Sequence, residues 1–249
     1  MPGVSITQEA GVRYLQFGAH WIQGAMRVNR PWSLELEYTR DMMFPLLLRP
    51  QTWPRSVLLI GLGAASLTKF LHRYRPGARL DVVEIDPLVV MAAWQFFGLP
   101  AESRRLRIAV DDGYRFVATA RRRYDLILVD GFDAKVSAGD LDSPVFYRNC
   151  HARLTSHGIL ATNLVSRRGK PKASIDRIGR IFRGGLVAFP RNEANTIVLA
   201  KAGDSVRVTR KALFSAARTL KESSGLDLTG TITGLLNEYS EDDLVFRAR

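Results

Sequence analysis

A short apolar run, Val57-Leu58-Leu59-Ile60, hands over to Gly61-Leu62-Gly63, and about twenty residues later a second run, Val82-Val83, ends on Glu84-Ile85-Asp86-Pro87. No other feature narrows what this chain can fold into as much. An apolar run ending in a glycine-rich turn reads as a buried parallel strand feeding a helix. The next strand then returns beside the first, which sets the acid at its end against the glycine turn. In a doubly wound sheet a carboxylate in that place can accept both hydroxyls of a ribose. Gly-x-Gly alone is weak, since a β-α-β unit without a ligand can carry it. The acid at the right distance favours a nucleoside site.

The rest of the chain repeats the alternation. Strands are expected at 57–60, 80–84, 106–110, 125–129 and 158–164, and helices at 65–74, 87–96, 113–121 and 143–153. Two late strands, near 185–189 and 195–200, read as an antiparallel hairpin across Pro190-Arg191-Asn192-Glu193, followed by a helix at 209–222. Ahead of this, residues 4–28 read as a small antiparallel unit with turns at Gly11 and Gly18, and 38–48 as helical. The acidic stretch Glu238 to Asp243 reads as a surface segment. The expected fold is therefore α/β: a Rossmann-like, doubly wound, mostly parallel sheet behind a small N-terminal β unit. The expected boundary puts the β unit and its linking helix at 1–50 and the nucleoside-binding catalytic domain at 51–249.

Composition excludes several classes. No apolar run approaches a bilayer span, and the N-terminus lacks a basic-then-apolar leader, so no membrane partner and a cytoplasmic location are expected. A single cysteine, Cys150, cannot form an intrachain disulfide and reads as a buried small hydrophobe. Four histidines and one cysteine show no ligand spacing, so no metal is expected. The net charge of +12 invites a polyanion partner. Yet Arg73, Arg75, Arg79, Arg104, Arg105, Arg107 and Arg121 to Arg123 fall in connections that run along the edge opposite the ligand crevice. They read as a solvated rim without interleaved aromatics, so nucleic acid is not the expected partner. Arg167, Arg168, Lys170 and Lys172 follow a strand and should lie on the ligand side.

Carboxylates recur at strand ends. Asp111-Asp112-Gly113 closes the third strand, where an Asp can accept the exocyclic amine of adenine, and Asp130-Gly131-Phe132-Asp133 closes the fourth. Asp125 begins that fourth strand and belongs to the far edge. Asp is common in turns, so one such residue means little. Acids at three successive strand ends point to one cleft.

With these motifs the chain resembles the spermidine synthase-like polyamine aminopropyltransferases, from about Ile6 to Ala200. Trp21-Ile22-Gln23 is similar to the family's Ile-Gln segment, and Glu37-Tyr38-Thr39 to its Tyr-Gln pair. Ile60 to Ser66 resembles its Gly-Gly-Gly-Asp-Gly-Gly turn. Val83 to Asp86, Asp112-Gly113, Val129 to Asp133 and Phe146-Tyr147 follow in the family's order and spacing. The resemblance implies a class I methyltransferase-like fold and an aminopropyltransferase. Decarboxylated S-adenosylmethionine would be the donor, an amine such as putrescine the acceptor, and a homodimer the assembly. Gly61, Gly63, Glu84, Asp112, Gly113 and Gln23 would hold the donor, Glu84 at the ribose and Asp112 at the adenine. Asp130 would be the general base, Asp133 would help hold the acceptor amine, and Tyr38 would support the acceptor or the base. Residues 134–142 would cover the cleft.

The chain departs from the family at three positions: Ala64 stands for its turn Asp, Thr39 for its Gln, and Ala134 for its Pro. Loss of the turn carboxylate weakens the hold on an ammonium and removes repulsion of the carboxylate of intact S-adenosylmethionine. Two alternatives therefore stand beside the first reading. One is an S-adenosylmethionine-dependent methyltransferase acting on a small molecule, although generic methyltransferases carry an acid where this chain has Leu59. The other is a non-catalytic nucleoside- or nucleic-acid-binding protein.

Overall fold

The computed structural model describes residues 3–17, 21–131, 138–165, 171–183, 185–190, 195–204, 206–239 and 243–246. It opens with three antiparallel strands, β1 (Val4–Glu9), β2 (Val12–Phe17) and β3 (Trp21–Arg27), in the order β1-β2-β3. Ala10 and Gly11 link the first two at φ of +47° and +77°, the left-handed pair that a tight hairpin requires. The expected β unit is present, with β3 running past Gln23.

The expected helix over 38–48 is instead a short helix, α1 (Glu37–Asp41), followed by a 3-10 turn at Phe44–Leu47. Pro45 is the cause. It has no N–H to donate and its ring collides with the preceding turn, so a continuous α-helix cannot pass.

The main body follows: β4 (Ser56–Ile60), α2 (Ser66–Tyr74), β5 (Arg79–Glu84), α3 (Pro87–Phe96), β6 (Leu106–Val110), α4 (Gly113–Thr119), β7 (Tyr124–Val129), a 3-10 turn at Gly139–Asp142, α5 (Pro144–Arg153), β8 (Leu154–Val165), α6 (Lys172–Ile181), β9 (Leu186–Pro190) and β10 (Asn195–Lys201). These seven strands form one sheet in the order β6-β5-β4-β7-β8-β10-β9. The first five are parallel, while β10 runs antiparallel to both β8 and β9, as the hairpin reading requires. Strand order reverses between β4 and β7. Chain leaves β4 for β5 on one side and arrives at β7 on the other, so a crevice opens at their carboxyl ends.

Alternate side chains of each central strand feed different cores. Val57 and Leu59 of β4 join Leu80 and Val82 of β5 under α2 and α3, whereas Leu58 and Ile60 join Val83 and Ile127 under α5. Both faces are covered, which is why the strands are apolar throughout. Cys150 lies in the second core, and burial pushes its thiol upward, consistent with an inert hydrophobe.

The C-terminal part holds β11 (Arg207–Thr209), α7 (Arg210–Ser224), α8 (Thr229–Tyr239) and β12 (Asp243–Val245), with β11 and β12 paired antiparallel. Thr209 caps α7, and Gly225, at φ +74°, ends it. The acidic segment meets the surface expectation at Glu238, which is exposed, and departs from it at Asp243. Glu238 sits on α8, and Asp243 is a half-buried strand residue paired with Arg207 at 2.9 Å. Residues 240–242 lie outside the described set.

Candidate functional site

The glycine-rich turn after β4 brings two strand ends into contact. Gly61 adopts φ +93°, and a Cβ there would meet the carbonyl oxygen of Asp130 at 2.3 Å, so only glycine admits this approach. Asp130 in turn donates its backbone N–H to the Ile60 carbonyl at 2.9 Å. Gly63, at φ +50°, carries the turn into α2. Gly113 serves packing, since a Cβ would meet Ile60 Cγ2 at 2.4 Å.

Glu84 ends β5 beside this turn. Its Oε2 accepts the Leu62 N–H at 2.8 Å and its Oε1 the Asp86 N–H at 3.1 Å. Burial raises its pKa, and the backbone hydrogen bonds, from Leu62 first, only partly offset that. The same carboxylate therefore shapes the turn and lines the cleft. Asp112 lines the cleft too and caps α4 by accepting the Tyr114 N–H at 2.8 Å, while Asp86 caps α3 through Leu88. Both caps are the ordinary strand-end role of aspartate.

Asp130, just past β7, sits at the cleft floor. Its Oδ2 accepts from the Tyr38 hydroxyl at 3.0 Å and its Oδ1 from the Asn163 amide at 3.1 Å. Protein surrounds it except toward the cleft. Burial therefore raises its pKa; the hydrogen bonds from Asn163 and Tyr38 pull the other way, and the nearby charge of Glu84 adds to the rise. Tyr38 is pushed well above the ordinary phenol range by burial and by Asp130, so it stays a donor.

These groups share one cleft of about 310 Å³. Tyr38, Gln23, Gly61, Gly63, Glu84, Asp112, Gly113 and Asp130 all border it, so the strand-end acids and the N-terminal unit do converge. Asp133 lies outside the described residues, as do 134–137 of the expected cover and Arg167, Arg168 and Lys170. The described end of the cover, Ala138 to Leu141, lines the cleft, with Leu141 against Gly113 and Gly131. Asp142 anchors this segment. It accepts from the Tyr147 hydroxyl at 2.9 Å and Ser174 at 2.7 Å, and pairs with Arg177 at 2.7 Å. The Phe146-Tyr147 pair is thus core and anchor.

Among the described residues, seven buried side-chain polar atoms have no hydrogen-bond partner, and two of them are Asn163 Oδ1 and Gln23 Nε2. Both residues border the cleft. An unsatisfied buried acceptor and donor cost free energy unless a ligand meets them, so the cleft fits a polar occupant. Asn163 is the residue that sequence reading missed. Its signal was an amide inside the apolar strand 159–165, five residues after Gly158. Among the described residues no group of three His, Cys, Asp or Glu side chains is arranged to hold a metal ion.

Known proteins resemble this chain throughout the region just described. Residues 35–169 match the spermine/spermidine synthase domain. A polyamine aminopropyltransferase of Neisseria meningitidis serogroup A is 32% identical over 235 residues, covering 94% of this chain and 89% of that protein. The crystal structure of a probable spermidine synthase from Corynebacterium glutamicum shares the fold at a TM-score of 0.73, with 16% identity over 98% of this chain and 87% of that one. Human methyltransferase-like protein 13, solved in complex with SAH, superposes at a TM-score of 0.67, with 25% identity over 76% of this chain and 93% of that one. The chain is a transferase and belongs to the spermine/spermidine synthase family.

Proposed function

We propose that the protein transfers an aminopropyl group from decarboxylated S-adenosylmethionine to a primary amine of a small polyamine such as putrescine. The observation that carries this reading is Asp130, a carboxylate held by Tyr38 and Asn163 in the same cleft as Glu84 and the glycine turn. An alkyl ammonium has a pKa of about 10.4 and cannot attack while protonated. Asp130 takes that proton. The freed lone pair forms the new C–N bond, the S–C bond of the sulfonium breaks, and methylthioadenosine leaves. Alignment of amine and sulfonium supplies much of the remaining acceleration. Glu84 is assigned to the ribose, Asp112 to the adenine, Gln23 to the donor and Asp133 to the acceptor. Residues 1–50 then wall one side of the cleft, and 51–249 form the catalytic domain. The uncharged outer face of α3, where Leu88, Met91 and Trp94 stand exposed, supports the homodimer reading.

A second reading has specific support: methyl transfer from intact S-adenosylmethionine. Ala64, which replaces the family's acid, is buried, and its Cβ would lie 2.6 Å from one built on Gly24. Among the described residues no acid occupies that corner, while the unpartnered Gln23 Nε2 offers a donor that suits a carboxylate. The likeness to methyltransferase-like protein 13 points the same way.

Thermal stabilisation by decarboxylated S-adenosylmethionine, the intact compound and methylthioadenosine, measured side by side, tests both. The first reading expects the decarboxylated donor to stabilise more than the intact one and to yield methylthioadenosine with putrescine. Stronger stabilisation by the intact compound, with S-adenosylhomocysteine as product, selects the second. Ala64→Asp should move the affinity ratio toward the decarboxylated donor.

A further inference from the structure

The edge of the large sheet opposite the cleft carries its own pattern. Strands β6, β5, β4, β7 and β8 lie side by side. Each is begun or immediately preceded by arginine: Arg105, Arg79, Arg55, Arg123 and Arg153 respectively. With neighbouring strands about 4.8 Å apart, the row runs for roughly 20 Å. Arg104, Arg121 and Arg122 widen it.

Part of the row serves the fold. Helices α2 and α4 end on this edge, with carbonyls that lack partners within the helix. Arg105 donates to the His72 carbonyl at 3.1 Å and to those of Arg75 and Ala78 at 3.2 Å. Arg153 donates to Val117 at 3.4 Å and Ala118 at 3.3 Å. The expectation of a merely solvated rim is corrected to that extent.

The acids on this edge are committed to neighbours. Asp81 accepts from Arg122 at 2.9 Å and from the Tyr124 hydroxyl at 3.0 Å. Asp125 accepts the backbone N–H groups of Arg55 and Ser56 at 2.8 and 3.2 Å and the Thr155 hydroxyl at 3.1 Å. Glu102 accepts the Ile108 N–H at 2.8 Å. Arg55, Arg79, Arg104 and Arg121 are exposed, and their side chains have no hydrogen-bond or ion-pair partner among the described residues. The edge thus presents four uncommitted cations within a longer positive row.

We propose that this edge docks the phosphate backbone of a nucleic acid, without sequence preference, while the cleft on the other edge remains open to its substrates. Two features favour a phosphate backbone over an acidic protein. The core of a protein interface is more apolar than its rim, and none of the large exposed hydrophobics among the described residues belongs to the strand starts that carry the row; Leu88, Met91, Trp94 and Phe96, for example, are on α3. Among the described residues the exposed aromatics Trp94 and Phe96 belong to α3 and not to the strand starts that carry the row, and Tyr124 beside the row is buried, so the row itself meets phosphates rather than bases. The acids of the cleft repel phosphate and hold the polyanion to the far edge.

The test is fluorescence anisotropy of a labelled, mixed-sequence single-stranded oligonucleotide of about 20 nucleotides, titrated with the full chain between about 50 and 200 mM salt. The quadruple variant Arg55→Ser, Arg79→Ser, Arg104→Ser and Arg121→Ser is compared with the same four positions changed to lysine. Each lost phosphate contact removes about 0.7 from the slope of log affinity against log salt. The serine variant should therefore lose close to 3 in slope and at least tenfold in affinity at about 100 mM salt, with its melting temperature and donor stabilisation retained. The lysine variant should keep the wild-type slope. An oligonucleotide of different sequence should bind equally. A folded serine variant with wild-type affinity and slope overturns the proposal, as does a wild-type protein that does not bind at about 100 mM salt. If the serine variant does not fold, a lysine variant that folds but loses the slope also overturns it, because it keeps the charge that the proposal invokes.

Discussion

Strand β7 carries Asp125 near its start at one edge of the sheet and hands over at the other to Asp130, and the two aspartates have opposite fates. Asp125 is saturated: two backbone N–H groups and a hydroxyl point at it, and it ties β4 to β7. Among the described residues Asp130 receives two side-chain donors, and it faces a cleft. The residue type is the same, and so is the strand. What differs is which end of a parallel sheet each occupies. Helix C-termini and their capping arginines crowd one end, and the glycine turns and helix N-termini open the other. An acid becomes a structural clip at the first and stays open to a ligand at the second.

Substitutions at the two ends should separate chemistry from stability, and Asp130→Asn should have the largest effect. Turnover should fall by about 10²–10⁴-fold with donor affinity kept. Asn163 can turn its amide to satisfy the new side chain, so the fold is retained. Single-turnover rates and melting temperatures on one sample check this; a near-normal rate removes Asp130 as the base. The pH behaviour follows from the raised pKa. Only ionised Asp130 can take a proton, so the acid limb of kcat/KM should lie above the ordinary carboxylate range. For stability the sign is opposite. A group whose pKa is higher in the folded state than in the unfolded one favours folding below its unfolded pKa, and that contribution is lost as pH rises through the folded value. Asp130→Asn should therefore gain in melting temperature relative to wild type as pH rises from acid toward neutral. A difference independent of pH would contradict the raised pKa.

Glu84→Ala comes next. It should weaken methylthioadenosine binding by tenfold or more. It should also cost about 1–3 kcal/mol of stability, because the Leu62 and Asp86 N–H groups lose their acceptor. Calorimetry that finds wild-type affinity in folded protein removes the ribose role. Tyr38→Phe should cost about tenfold in turnover, the worth of one hydrogen bond to a charged group. Because that hydrogen bond lowers the Asp130 pKa, its loss should move the acid limb to higher pH; an unmoved limb would mean the contact does not tune the base. Asp125→Ala should leave turnover per folded molecule unchanged while lowering stability by about 1–3 kcal/mol. A loss of turnover there would break the division between the two edges.

Much of this was legible in residue order, because its causes are local. Apolar runs marked the buried strands, and glycine with an acid at the next strand end marked the crevice. Pro45 was equally local, since a helix over 38–48 was barred by a residue within it. Asn163 was harder. Its significance is that β8 lies beside β7, which sets its amide against Asp130. The β11–β12 pair was not legible at all, as two three-residue strands find each other across α7 and α8.

By itself the sequence determined the central strand–helix alternation, its parallel wiring and the chemical type of each strand end, because strand period, turn residues and burial act over a few neighbours; α6, α8 and the β11–β12 pair came only with the structure. Tertiary structure alone decided which strands stand side by side. That order set Tyr38 and Asn163 on Asp130 and gave Glu84 the glycine turn to hold. It also gathered five arginines, scattered over about a hundred residues, into one row. Adjacency between distant segments depends on packing summed over the whole sheet, and no local stretch of chain encodes it.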